Sequence, residues 1–191
     1  MTWDRWVFLA LLALIVLAQA ASLVGLVRRG VDTDRGSAWA LVIAWQAVLV
    51  VSGYEAWKWA GLWAEPRWVP LVGVAAFVGG FWLRVVAVHT LDAHFSPLVE
   101  LREDHELVTH GPYAWVRHPA YLGSLLWAVA PPLLLGSVAG LLTVLALYYP
   151  ALRYRVKVEE ALLAGRFGDR WEAYRRAVPA LLPRPARRPA S

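Results

Sequence analysis

Residues 121–152 read YLGSLLWAVAPPLLLGSVAGLLTVLALYYPAL, a run of 32 positions without one charged side chain. At about 1.5 Å rise per residue, one straight helix of this length would be longer than the ~30 Å hydrocarbon core of a bilayer is thick. The run must therefore tilt steeply or turn back. Gly136-Ser137, shortly after Pro131-Pro132, is a sequence that favours a turn. We predict a tight helical hairpin that turns there.

The composition indicates a chain that lies in a membrane. Hydrophobic residues make up 59% of the 191 residues and charged residues only 17%, well outside the usual range for soluble domains. Three more apolar runs precede the hairpin, at 6–27, 38–54 and 69–88, the last interrupted by Arg84. We predict an all-α integral membrane protein with about five transmembrane helices, including the C-terminal hairpin.

The first apolar run contains Ala18-Gln19-Ala20, which resembles a secretory cleavage site. Its uncharged length of 22 residues is enough to span a bilayer, and Arg28-Arg29 follow it directly. A signal peptide carries its positive charge at the other end. We therefore expect a retained helix.

The basic residues concentrate at the C-terminal end. From residue 151 onward there are ten lysines and arginines against four acidic residues. By the positive-inside rule we predict that the N-terminus lies outside and the C-terminus in the cytoplasm, and we expect the membrane to be a bacterial inner membrane. A basic tail also suits nucleic acid, but Phe167, Trp171 and Tyr174 interrupt this one regularly, so we predict no nucleic-acid partner. The absence of cysteine excludes thiol nucleophiles and disulfides, and we assign no metal ligands.

Past the last apolar run, residues 153–177 are predicted to form a cytoplasmic helix. Phe167, Trp171, Tyr174 and Val178 recur at helical spacing on one stripe, as in an amphipathic helix at a membrane interface. The Pro/Arg-rich end, residues 186–191, is expected to be disordered. We predict one domain over 1–191, with a three-helix scaffold at 1–91 and a cofactor-binding and catalytic part at 92–185.

Two polar clusters flank the predicted hairpin. Residues 110–123, HGPYAWVRHPAYLG, place a Gly-Pro turn and then Arg117 and His118 at the mouth of a helix, which suits a carboxylate or phosphate. The alternative is that Arg117 meets lipid phosphates and the tyrosines form an interfacial belt. Arg155, Glu159 and Glu160 follow the hairpin. The first two could be a simple helix pair, or they could hold an anion and a polar ligand.

The runs HELVTHGPYAWVRHPAYLG (105–123) and RVKVEEALLAGRFGDRWEAYRRAVPALLP (155–183) resemble the isoprenylcysteine carboxyl methyltransferase family and its phospholipid methyltransferase relatives. The resemblance implies an integral membrane enzyme that uses S-adenosyl-L-methionine and methylates a lipophilic or lipidated acceptor among membrane lipids. It implies catalytic roles for Arg155, which would face the substrate, and Glu160. The cofactor-binding residues that it implies are His105, Glu106, Leu107, Val108, Gly111, Tyr113, Arg117, His118, Pro119, Ala120, Tyr121 and Glu159.

The acceptor stays open between several classes. A prenylated cysteine carboxylate needs no general base, whereas an amine needs one, for which Glu160 or His118 is a candidate. Pro112-Tyr113 is the form common in bacterial and phospholipid-type members, so a phospholipid or another lipophilic amine, acid or thiol is the alternative. Sterol reductases that use NADPH share a similar Arg-His-Pro-x-Tyr element, but they have asparagine at the position of Ala120. A non-enzymatic scaffold would rest on the intramembrane Arg84. No oligomeric state is predicted.

Overall fold

The computed structural model describes residues 35–59, 68–91 and 107–182, and within these ranges the regular structure is entirely helical. The elements in chain order are α1 (Arg35–Trp59), α2 (Trp68–Leu91), a 3₁₀ helix (Gly111–Ala114), α3 (Pro119–Leu135), α4 (Val138–Thr143), a π-helical turn (Val144–Tyr148), α5 (Tyr149–Phe167) and α6 (Asp169–Ala177).

Two of these helices are long and apolar enough to cross a membrane, over Gly36–Trp59 and Trp68–Leu91, and α3 is a shorter apolar helix. Helices are therefore confirmed at the second and third apolar runs. Large apolar side chains such as Phe77 and Trp82 point outward from α2, as expected for a surface that contacts lipid. The first run, 6–27, lies outside the described residues, as does the end of the chain at 186–191.

The predicted hairpin turn is confirmed at Gly136-Ser137. Gly136 adopts a left-handed conformation with φ 65° after the end of α3, which glycine tolerates without strain. Ser137 then caps α4 by accepting a hydrogen bond from Gly140 N at 2.8 Å. The buried Glu55 of α1 accepts hydrogen bonds from Ser137 Oγ at 2.6 Å and Ala139 N at 2.8 Å. This carboxylate stabilises the positive end of α4 and ties the turn to α1.

The return arm of the hairpin is α4, the π-helical turn and α5, which follow one another without a loop. Pro150 lies in the first turn of α5. Proline lacks an N–H and its ring collides with the carbonyl four residues earlier, so the helix widens into a π-turn just before it. Tyr148 of this turn is buried and joins Ala44, Val48, Ala128 and Val144 in the core.

Helices α2 and α3 pack antiparallel with their backbones in close contact. A Cβ atom added to Gly80 would lie 2.7 Å from Gly123 O, and one added to Gly123 would lie 2.6 Å from Gly80 O. Small residues at such an interface let two membrane helices approach closely. Arg84 does not stand alone in this apolar region, because its Nη1 donates to Ser124 Oγ on α3 at 2.9 Å.

The prediction of one helix over 153–177 is wrong. Helix α5 ends at Phe167, Gly168 has φ 51°, and the separate helix α6 begins at Asp169. A glycine in this region of φ is cheap for the backbone and ends a helix readily. Two members of the predicted stripe, Trp171 and Tyr174, are buried against the protein itself. The proposed division at residues 91 and 92 stays a prediction.

Candidate active site

The loop that leads into α3 is anchored to α2. Gly111 begins the 3₁₀ helix with φ 60°, and a Cβ atom there would lie 3.2 Å from Thr90 Cγ2. The buried Tyr113 donates from its hydroxyl to Ala87 O at 3.4 Å, and its own carbonyl accepts a hydrogen bond from Tyr174 Oη at 2.6 Å. The loop is thereby held between α2 and α6.

His118 is the centre of the polar cluster. It precedes Pro119, the first residue of α3, and only 3% of its surface is exposed. Its Nε2 lies 3.1 Å from Glu160 Oε1, and its Nδ1 lies 3.6 Å from Glu159 Oε1. Both ring nitrogens face carboxylates, so the charged imidazolium, which has two donors, is the form that fits.

Tyr121 connects Glu159, one of the two carboxylates that face His118, to Arg155. Its hydroxyl donates to Glu159 Oε2 at 2.6 Å and accepts from Arg155 Nε at 3.2 Å. The buried Arg155 also donates from Nη1 to Ser37 Oγ at 2.9 Å. Residues 155 and 159 are thus not a simple exposed helix pair, because both contact Tyr121 of α3 and Arg155 also contacts Ser37 of α1.

Arg117 binds Glu160 and the C-terminal segment. It donates to Glu160 Oε1 from Nε at 3.1 Å and from Nη2 at 2.7 Å, while Nη1 donates to the main-chain oxygens of Arg175, at 2.9 Å, and Val178. Its guanidinium carbon lies 5.8 Å from the centre of the Trp171 ring. The guanidinium is therefore used for internal contacts and not for lipid phosphates.

The charges of this cluster stabilise one another. Burial alone would lower the pKa of His118, but hydrogen bonds and charges from Glu159 and Glu160 outweigh burial and raise it to about 9. Burial alone would raise the pKa of Glu160, but His118 and Arg117 lower it to about 2. The pKa of Glu159 is lowered as well, against its burial, chiefly by His118. At neutral pH all three side chains are ionised.

The structure brings the two predicted clusters into direct contact. Arg117, His118 and Tyr121 come from the first cluster, and Arg155, Glu159 and Glu160 come from the second. Tyr113 of the first cluster contacts Ala87 and Tyr174 instead. Gly111, Pro119 and Ala120 contribute their backbone geometry, since no side-chain polar atom is available to them. Leu107 and Val108 are half-buried and have no regular secondary structure. His105 and Glu106 lie outside the described residues.

Three neighbours of the site were not predicted from the sequence. Ser37 belongs to α1 and was counted with the scaffold, and only its position opposite Arg155 connects it to the site. Tyr174 and the segment around Pro179 contact the loop of Tyr113 and Arg117. The sequence signal for these two was the regular aromatic spacing that ends in Val178-Pro179, which was interpreted as a surface for membrane lipid.

The residues of the site fit a cationic methyl donor that carries hydroxyl and amino groups. The Glu159 side chain remains 31% exposed, and a carboxylate that accepts one strong hydrogen bond keeps acceptor capacity for a ligand. The main-chain groups of Leu107 and Val108 are not hydrogen-bonded to other described residues. The rings of Tyr113 and Tyr121 suit a cation such as a sulfonium.

Comparisons with known proteins agree with this helical membrane architecture. The family model described as isoprenylcysteine carboxyl methyltransferase (ICMT) matches residues 71–165. The protein-S-isoprenylcysteine O-methyltransferase of Schizosaccharomyces pombe is 39% identical over 106 residues, which are 54% of this chain and 45% of that protein. The Homo sapiens protein of the same name is 34% identical over 119 residues, or 61% of this chain and 42% of that protein.

A solved structure is also similar. The eukaryotic intramembrane Ras methyltransferase ICMT superposes with a TM-score of 0.63 at 29% identity, covering 80% of this chain and 54% of that chain. The matched part spans about half the length of these relatives or less. The fold and the matched region define an all-helical membrane protein with an interhelical polar site. The chain belongs to the isoprenylcysteine carboxyl methyltransferase family.

Proposed function

We propose that this protein is an S-adenosylmethionine-dependent methyltransferase that transfers a methyl group to a lipophilic acceptor at the membrane interface, with a prenylated cysteine carboxylate as the acceptor. The observation that carries the proposal is the contact between Tyr121, Glu159 and His118, which joins two segments about 40 residues apart at one end of the helices. The names of the relatives support the same chemistry.

The side chains have separate roles in this proposal. S-adenosylmethionine supplies an activated methyl group on a sulfonium, so the protein mainly has to align it and exclude water. Glu159 would hold the donor through its exposed carboxylate edge, and the rings of Tyr113 and Tyr121 would suit its positive charge. Leu107 and Val108 offer main-chain hydrogen bonds, and the resemblance adds His105 and Glu106 to the same segment.

The resemblance implies that Arg155 steers the acceptor carboxylate toward the donor. Arginine presents paired N–H groups that match the two oxygens of a carboxylate. Tyr121 and Ser37 fix the plane of its guanidinium by hydrogen bonds. A carboxylate is ionised at neutral pH and attacks without losing a proton, so this acceptor needs no general base.

An amine acceptor, as in a phospholipid methyltransferase, fits these charges less well. It must lose a proton, and the candidate bases were Glu160 and His118. With its pKa lowered to about 2, Glu160 is a weak base, and with its pKa raised to about 9, His118 is already protonated. The relatives are named O-methyltransferases, and these names give no support to the alternative of an NADPH-dependent reductase.

The membrane arrangement belongs to the same proposal. We place five transmembrane helices in a bacterial inner membrane, with the N-terminus outside and the active site, α6 and C-terminus on the cytoplasmic side. The water-soluble donor then arrives from the cytoplasm while the apolar acceptor enters sideways from the bilayer. α6, with its exposed Arg170 and Arg176, lies at the interface.

The proposal is tested with purified protein in nanodiscs, methyl-labelled S-adenosylmethionine and an S-prenylated cysteine with a free carboxylate. We expect the label to enter a product that releases methanol in base, since a methyl ester is base-labile. Matched controls are the carboxamide of the same compound and the cysteine without its prenyl group, and neither should be labelled. Base-stable label would contradict O-methylation, and absence of donor binding would contradict the whole proposal.

A further inference from the structure

The side chain of Arg117 is almost fully engaged inside the protein. Four hydrogen bonds use its Nε, its Nη2 and both protons of its Nη1, which leaves one of five donors. Only 9% of the side chain is exposed. A donor molecule or a lipid phosphate would have to displace these contacts to bind Arg117 directly.

The main chain on either side of this arginine meets a segment from the C-terminal end. Arg117 N donates to Pro179 O at 2.8 Å and His118 N donates to Ala180 O at 3.0 Å. We define residues 178–181 as the strap. Leu181 at its end is buried, and so are Trp171 and Tyr174 of α6 just before it. The strap therefore satisfies the last two N–H groups ahead of α3.

These contacts form a chain that runs from the strap to Glu159, the carboxylate proposed to bind the donor. Val178 O of the strap accepts a hydrogen bond from Arg117 Nη1, and Arg117 donates to Glu160 Oε1 from Nε and Nη2. The same oxygen lies 3.1 Å from His118 Nε2, which fixes the plane of the imidazole ring. The opposite nitrogen, Nδ1, then faces Glu159.

We propose that the strap, Arg117 and Glu160 are positioning elements, which hold the His118 ring so that Glu159 is presented to the methyl donor. This inference rests on the proposed function for the identity of the donor. The resemblance implied that Arg117 contacts the cofactor and that Glu160 is catalytic. The inference gives both a positioning role instead, because Arg117 binds Glu160 and Glu160 binds His118. Without the strap the ring would lose one of its two carboxylate partners in the required geometry.

The first test combines two measurements on Arg117→Gln, with Arg176→Gln as the matched control from an exposed arginine of α6. In protein without donor, hydrogen exchange at the amides of residues 117 and 118 should become faster in Arg117→Gln only. The dissociation constant for S-adenosylmethionine should rise roughly 10- to 100-fold, the factor expected when one hydrogen bond to a charged group is lost. Arg117→Lys should recover little, because lysine lacks the planar fork.

Slow exchange at both amides in a folded Arg117→Gln protein, or donor affinity equal to that of the parent, would overturn the proposal. Full recovery in Arg117→Lys would also overturn it, because charge alone would then suffice. Failure of the parent itself to bind the donor would refute the proposed function. The exchange measurement, made without donor, would still decide the role of the strap.

Glu160→Gln provides a milder second variant in case Arg117→Gln does not fold, with Glu172→Gln, at a half-exposed position of α6, as its control. The ¹⁵N resonances of the His118 ring report its protonation, and the groups that face it are Glu159 and Glu160 from α5, Arg117 beside it and Tyr121 of α3. We expect the pKa of His118 to fall and donor affinity to weaken in Glu160→Gln. An unchanged ring titration would contradict the proposed chain of contacts.

Discussion

Tyr121 shows how much one hydroxyl can contribute at the residue scale, because it is shared by Glu159 and Arg155. Hydrogen bonds to charged groups contribute about 1.5–3 kcal/mol each. We predict that Tyr121→Phe weakens binding of S-adenosylmethionine and raises KM for the acceptor, each by roughly tenfold or more by that range. Isothermal calorimetry and initial rates measure the two effects. Tyr154→Phe, at an exposed position, is the control, and equal behaviour of both variants would refute the shared role.

His118 and Glu160 determine a pH window for stability. The pKa of His118 is raised from 6.5 to about 9, so its stabilisation is complete below pH 6.5 and is lost as the pH rises through 9. The pKa of Glu160 is lowered from 4.5 to about 2, so its stabilisation is complete above pH 4.5 and is lost as the pH falls through 2. We predict that the melting temperature in detergent declines between pH 6.5 and 9 more steeply in the parent than in Glu160→Gln. Parallel curves would contradict this coupling.

At the scale of elements, the contact between α2 and α3 depends on glycine. We predict that Gly80→Ala destabilises the protein by roughly 1–3 kcal/mol, the usual cost of overpacking, because the new Cβ meets Gly123 O and Leu126 Cβ. Gly79→Ala on the same helix meets nothing within 4 Å and should be neutral or slightly stabilising. Thermal unfolding in the same detergent compares the two. Equal stability of the two variants would show that the close contact between Gly80 and α3 does not restrict the side chain at this position.

The local sequence was sufficient to predict some secondary-structure elements and insufficient for others. The hairpin was predictable because Gly136 and Ser137 set the turn by their own backbone and capping preferences. The break at Gly168 was missed because the apolar stripe continues across it, and periodicity does not reveal that one glycine adopts a positive φ. The helix accommodates Pro150 by forming a π-turn. Whether a π-turn or another distortion forms depends on how the helix packs, which the local sequence alone does not determine.

At the scale of the whole molecule, sequence identified both halves of the site but not their pairing. The aromatic and charged residue types made the cluster at 110–123 and the group at 155–160 visible. That His118 pairs with two adjacent glutamates, and Arg155 with Ser37 of α1, follows from how α1, α3 and α5 pack. Such distant contacts have no local signature, so the roles of Arg117 and Glu160 became apparent only in three dimensions.

The two ends of α1 should lie on opposite sides of the membrane. Ser37 at the start of α1 contacts Arg155 of the site, whereas Glu55 near its end contacts the hairpin turn. Twenty-one residues of helix separate Ser37 from Lys58, or about 30 Å at 1.5 Å per residue. Because the chain has no cysteine, Lys58→Cys and Arg176→Cys each introduce a single thiol. In spheroplasts, a membrane-impermeant maleimide should label Lys58→Cys and should label Arg176→Cys only after lysis. The reverse pattern would invert the proposed orientation, and labelling of both before lysis would refute a membrane-spanning α1.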